Sequence, residues 1–180
     1  MGSSLTTTGV AKYLTSTLTA RLQVIKATYV GDATFKSSSA TMTQIVNLYP
    51  STTNVPTSSL NPSIYGQAVT LATTVTSTAP SPPTGTVVFK NGTTSVGSGT
   101  LSTPGVATVT TRTLPAGSLS IPSTHNGDSE TGKSTSTVLS QTVTRTTSAT
   151  TMKSSLNPSL SRQTVPALFM TEHPTSEAAP

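Results

Sequence analysis

His125, Asp128 and Ser129 are the residue types of a hydrolytic triad, in which an imidazole takes a hydroxyl proton and a carboxylate orients the ring. Here they crowd onto one turn, Asn126-Gly127-Asp128, and nothing nearby supplies an oxyanion hole. A histidine beside a turn aspartate accounts for them, so no catalytic residue is expected. Asn126, Asp128 and Glu130 could offer oxygens to calcium, but such a site takes about six to eight oxygen ligands. The whole chain has five acidic residues, so neither a metal site nor a cofactor is expected. His173 stands without a second ligand near it in sequence. Asn91-Gly92-Thr93 fits the N-glycosylation pattern, yet Asn-Gly is also the preferred pair for a tight hairpin turn.

The composition agrees with a molecule that carries little chemistry. There is no cysteine, which removes disulfides, thiolate metal sites and a cysteine nucleophile. The net charge of +5 comes from basic residues scattered singly, and aromatics are few. Neither a phosphate-tracking stripe nor a stacking platform is formed, so nucleic acid is not an expected partner. No apolar run approaches the roughly 20 residues of a membrane helix, and no membrane insertion is expected. Met1 to Thr8 lacks a basic region followed by an apolar core. An export signal, if the parent protein has one, is expected outside this chain.

What the chain does contain is strand and turn chemistry. Ser and Thr make up about 70 residues, well above average usage, and β-branched Thr suits a pleated, half-exposed surface. Val69, Leu71, Thr73 and Val75 alternate with more polar neighbours, the period-2 mark of a strand with one buried face. Thr86 to Lys90 is a second strand, turned at Asn91-Gly92 into Thr93 to Val96. Gly97-Ser98-Gly99 and Thr103-Pro104-Gly105 are expected to bracket a short segment around Leu101. Val106 to Thr113, the stretch holding Leu119, Ile121, Ser123 and His125, and Ser134 to Val143 complete the set, with a leading strand near Thr52–Leu60. About seven strands with frequent turns indicate an antiparallel Ig-like sandwich. No helix is expected.

Self-comparison adds a period. Ser58-Ser59-Leu60-Asn61-Pro62-Ser63 recurs as Ser154-Ser155-Leu156-Asn157-Pro158-Ser159, a shift of about 96 positions. Gly9-Val10-Ala11 meets Gly105-Val106-Ala107 and Gly31-Asp32 meets Gly127-Asp128 at the same shift. Gln44-Ile45-Val46 meets Gln141-Thr142-Val143 after a one-residue slip. The expected organisation is one complete repeat over 51–144, the C-terminal half of an earlier repeat over 1–47, and the N-terminal portion of a later, degenerate one over 147–180. Asn47 to Asn54 and Thr144 to Thr151 are the expected links.

The set Leu60-Asn61-Pro62-Ser63-Ile64-Tyr65-Gly66-Gln67, Pro83 to Phe89 and Leu114-Pro115-Ala116-Gly117 resembles bacterial Ig-like repeat domains of the group 3 type. Tyr29-Val30-Gly31-Asp32-Ala33-Thr34-Phe35 is similar to that family's Tyr-x-Gly-Asp-x-x-Phe signature. Some positions depart from it: His125 stands for Tyr29, Thr131 for Phe35, Ser123 for Ala27, Arg21 for Gly117 and Arg162 for Gly66. Pro122 falls within an expected central strand, where a lost ladder bond would cost several kcal/mol, and Pro166 interrupts another. The resemblance implies all-β Ig-like sandwich repeats in a large surface or secreted bacterial protein. It implies an extracellular, non-enzymatic structural or adhesive module whose partners are neighbouring repeats, a cell-surface protein or a polysaccharide. Two other readings stand beside it: a carbohydrate- or protein-binding accessory domain of a secreted enzyme, and a decayed, non-functional fragment of an array.

Overall fold

Period-2 alternation becomes fifteen strands in the computed structural model, which describes residue 6 and residues 8–172, with no helix among them. In chain order the strands are β1 (Arg21–Tyr29), β2 (Ser38–Val46), β3 (Ser51–Thr53), β4 (Thr57–Ser58) and β5 (Ser63–Ile64). There follow β6 (Val69–Ser77), β7 (Thr86–Asn91), β8 (Thr94–Thr100), β9 (Val106–Thr111) and β10 (Gly117–Ile121). The last are β11 (Ser123–His125), β12 (Ser134–Thr135), β13 (Leu139–Thr144), β14 (Ala149–Ser154) and β15 (Ala167–Glu172).

Strands β3 to β13 form an Ig-like sandwich. In one layer β6 is the centre, with β3 and β4 on one edge and β9 on the other, all antiparallel. The opposing layer runs β12-β11-β7-β8 and continues as β10-β13-β5. Its one parallel pairing sets Val143 against Ser63. The inward face of β6 buries Val69, Leu71, Thr73 and Val75. They pack on Val87 and Phe89 of β7, Ala107 of β9, Ile121 of β10 and Val143 of β13. Each fully buried Leu, Ile or Phe contributes about 1.5–3 kcal/mol relative to exposure.

Leu119, Ile121, Ser123 and His125 share the buried face expected of them, although Pro122 lies in their midst. The expected penalty of Pro122 is a point the structure corrects. Ile121 pairs with Leu139, whereas His125 pairs with Ser134, so the partner strand carries one extra residue between these points. Pro122 sits opposite that irregularity, where the strand leaves β13 for β7 and β12. No ladder bond is demanded of its nitrogen, and its carbonyl accepts the Lys90 N–H at 3.2 Å. The same inserted residue produces the one-residue slip in the sequence period.

Two further expectations change. Ser51–Thr53 pairs with β6, so the first link is shorter than Asn47–Asn54. Gly97-Ser98-Gly99 does not end a strand, because β8 runs through it to Thr100. Gly99 passes so close to Thr108 that a Cβ would collide with its backbone. The glycines permit close approach of β8 to β9, not a turn.

The flanking strands run in registers that match the sandwich. β1 sets Tyr29 against Ser38, as β11 sets His125 against Ser134. Gln23 opposes Gln44, as Leu119 opposes Gln141. On the other side β14 and β15 set Ser154 against Ala167, as β4 and β6 set Ser58 against Leu71. The turns agree as well. The Leu160 N–H donates to Gln163 Oε1 at 3.0 Å, as Ile64 does to Gln67 at 2.7 Å. Arg21 and Arg162 have φ of 122° and 62°, against 133° and 86° at Gly117 and Gly66.

Candidate functional site

Because β11 is a central strand, His125 is carried fully inside. Its Nε2 lies 2.8 Å from the Thr84 carbonyl and Nδ1 3.4 Å from Ser51 Oγ. A carbonyl only accepts, so Nε2 carries the hydrogen. The Asp128 carboxylate, three residues on, bonds to other groups. One oxygen accepts the Thr84 N–H at 2.8 Å and the Thr84 hydroxyl at 2.9 Å. The other accepts the Glu130 and Thr131 N–H groups at 2.8 and 2.6 Å. Gly127, at φ 82°, lets the chain double back, since a Cβ there would stand 2.9 Å from the Thr131 carbonyl.

The three triad-type residues are therefore brought onto one turn but not into a proton relay. His125 bonds to Thr84 and Ser51, and Asp128 ties the 126–131 turn to the loop before β7. Partial burial by itself raises the Asp128 carboxyl. The backbone donors of Thr84, Thr131 and Glu130 outweigh this and hold it far below the usual carboxylate range. Among the described residues no group of three or more His, Cys, Asp or Glu is placed to hold a metal ion. His173 lies outside the described residues.

The earlier Gly-Asp turn is built alike. Asp32 Oδ1 accepts the Thr34 and Phe35 N–H groups, both at 2.7 Å, and Oδ2 accepts the Tyr29 hydroxyl at 2.6 Å. That hydroxyl, with the Phe35 and Thr34 amides, lowers the Asp32 carboxyl, while the same bond raises the Tyr29 phenol. In the sandwich the tyrosine is exchanged for His125, and Thr84 supplies the missing hydroxyl. Thr84 was not visible as a partner in the sequence, since it lies 44 residues away on another loop.

A second buried polar group lines the same layer. Ser51 Oγ donates to the Gly132 carbonyl at 2.6 Å, and Thr53 Oγ1 lies 2.7 Å from Ser134 Oγ. Ser136 Oγ accepts the Ser123 N–H at 2.9 Å and donates to the Thr137 carbonyl at 2.7 Å. These serines and threonines fix the β11-β12 edge against β3. They are structural.

Exposed aromatics mark the two ends of the sandwich. Tyr49 is bridged to Thr131 at the turn end, and the Tyr65 N–H donates to the Thr144 carbonyl at 2.8 Å at the other. Phe89 is fully buried, as its strand position requires. Tyr65, Pro115, Ala116 and the 145–148 segment enclose a cleft of about 390 Å³. No helix among the described residues is long and apolar enough to cross a membrane.

Two layers of antiparallel strands, a shared apolar core and a Gly-Asp turn clamped by backbone donors define the class of Ig-like β-sandwich domains. The model of the bacterial Ig-like domain, group 3, matches residues 54–144, and the chain belongs to that family. No curated protein matches the chain.

Proposed function

We propose that the chain is a non-enzymatic stretch of a tandem array of Ig-like sandwiches. It would space or present other parts of a large bacterial surface or secreted protein outside the cell. In this reading 51–144 is a complete bead, 1–47 the C-terminal half of a preceding bead and 147–180 the beginning of a following one. Neighbouring beads are its first partners. The supporting observation is the recurrence of strand registers: β1 on β2 repeats the pairings of β11-β12 and β10-β13, and β14 on β15 repeats β4 on β6. The Asp128 carboxylate of the 126–131 turn accepts the backbone N–H groups of Thr84, Glu130 and Thr131, which suits a load-bearing bead.

Single-molecule stretching of the 180-residue chain between handles tests this. A mechanical bead gives way in one step that releases roughly 300 Å, the reach of the 51–144 segment. Extension without a discrete step would reject the reading, as a decayed fragment would extend that way.

A further inference from the structure

On one side β13 pairs with β10 from Leu139 to Val143. On the other it has only the short parallel strand β5, which sets Ser63 against Val143 and Ile64 against Thr144. The same register two residues earlier sets Asn61 against Gln141. In a parallel ladder the residue at that place bonds through its N–H to the carbonyl of residue 140 and through its carbonyl to the N–H of residue 142. The Asn61 side chain makes both bonds instead. Its Nδ2 donates to the Ser140 carbonyl at 2.7 Å, and its Oδ1 accepts the Thr142 N–H at 2.9 Å. A side-chain amide carries a donor and an acceptor side by side, the same two groups that a backbone residue offers. Beyond Asn61 the backbone takes over, ending with the Tyr65 N–H on the Thr144 carbonyl at 2.8 Å.

The loop that presents Asn61 is fastened on both sides. Fully buried Gln141 donates from Nε2 to the Leu60 carbonyl at 2.8 Å, and Ser58 Oγ donates to the same carbonyl at 3.0 Å. Where the segment recurs, Ser154 Oγ donates to the Leu156 carbonyl at 2.8 Å, just before Asn157-Pro158. There the sheet is β14 on β15 alone, with no counterpart of β13 among the described residues. The loop shape is therefore set locally and offers its asparagine ready-made.

Leu139 to Thr144 contains no charged residue and no proline, two devices that keep a strand edge from pairing with another chain. The Ser140 carbonyl and Thr142 N–H are also self-complementary. On a second copy turned about a twofold axis through Gln141, each carbonyl meets the other copy's N–H in an antiparallel pair. We propose that Asn61 is an edge guard: its amide closes a pairing surface on β13 whose occupant is the β13 edge of a second copy. The guard needs only the sandwich. In the array reading it also has a purpose, because neighbouring copies meet at high effective concentration and identical open edges would mispair.

Hydrogen exchange and disulfide capture on the 180-residue chain test this. Asn61→Ala is expected to speed exchange of the Thr142 amide by about tenfold or more, with the amides of β6 and β9 unchanged. In the guarded pairing Ser140 of one copy lies opposite Thr142 of the other, with Cα atoms about 5.5 Å apart, within reach of a disulfide. The chain has no cysteine, so introduced ones report on β13 alone, whatever other edges do. Ser140→Cys and Thr142→Cys, each combined with Asn61→Ala, are mixed at near-millimolar concentration with oxidised glutathione. They form the mixed disulfide in excess over either same-variant dimer. The two cysteine variants with Asn61 retained do not, nor do they with Asn61→Asp, which keeps an acceptor for the Thr142 N–H and adds a charge to the edge. A folded Asn61→Ala mixture without the mixed disulfide, or equal capture with Asn61 retained, would overturn the proposal. So would a Thr142 amide that exchanges in the unaltered chain as fast as an exposed loop amide, a result that needs no variant. Loss of cooperative unfolding in Asn61→Ala also overturns it, since Asn61 then holds the fold and not its edge. None of these outcomes alters the single long step expected on stretching the unaltered chain, so the guard and the bead reading fail separately.

Discussion

Asp128 holds Thr84 by both of its donors, the N–H at 2.8 Å and the hydroxyl at 2.9 Å, through a single carboxylate oxygen. The pair joins the turn after β11 to the loop before β7 across 44 residues of chain. Removing the carboxylate leaves those donors, and the amides of Glu130 and Thr131, without an acceptor. Asp128→Ala therefore destabilises the sandwich by about 2–3 kcal/mol. Its melting temperature falls by roughly 10–20 °C in calorimetry. Thr84→Val removes only the hydroxyl donor and costs about 1 kcal/mol. In the double variant the two losses are not additive, because the second change finds the contact already gone.

Acid exposes the same contact. The Asp128 carboxyl lies lower in the folded chain than the ordinary aspartate value of about 3.9. Its ionised form favours folding, and this contribution is complete above about pH 4. Below that the unfolded chain binds the proton first, so stability declines as pH falls toward the depressed folded value. Urea melts between about pH 5 and pH 2 will show this decline. Asp128→Asn, which titrates no proton, will show a flatter profile over the same window.

Two buried serines, Ser123 in β11 and Ser136 just after β12, are unequal. Ser136 Oγ is the acceptor for the Ser123 N–H at 2.9 Å, while Ser123 Oγ donates to Ser136 Oγ at 3.1 Å and has longer contacts, 3.5 Å to the Asn54 carbonyl and 3.4 Å to Thr73 Oγ1. Ser136→Ala strands a buried amide and costs about 1–3 kcal/mol. Ser123→Ala removes one buried hydroxyl bond but strands no amide, so it costs about 1 kcal/mol. Chemical denaturation of both variants decides the order. The β1-β2 hairpin places Ala27 opposite Ala40 without this bond.

Much of this could be read before any coordinates. The alternation of Val69 to Val75 placed β6, Asn91-Gly92 placed the β7-β8 hairpin, and the buried face of Leu119, Ile121, Ser123 and His125 followed from spacing alone. Local periodicity carries such information because one face of each strand must be apolar. What it does not carry is which distant loop meets a turn. Thr84 is one threonine among many and nothing marks it as the partner of Asp128. Pro122 looked like damage because the irregularity opposite it belongs to another strand. Gly97 and Gly99 looked like a turn because close approach between β8 and β9 has the same local signature as a bend.

Arg21 offers a test of the hairpin. Its φ of 122° is a conformation side chains resist, and Gly117 holds the matching place at the start of β10 at 133°. Arg21→Gly relieves this and stabilises the β1-β2 pairing by about 1 kcal/mol, net of the glycine's larger unfolded-state entropy. Amide exchange from Gln23 to Thr28 slows about fivefold in the variant.

Residue-resolved hydrogen exchange on the whole chain addresses the central claim most directly. If 51–144 is one Ig-like bead, the paired amides of β6, β7, β9 and β10 share a common, high opening free energy and lose protection together as denaturant is added. The β1-β2 and β14-β15 amides exchange earlier, each as its own unit. Protection in β6 and β9 that collapses separately from that in β7 and β10 would show two independent pieces where the sandwich requires one.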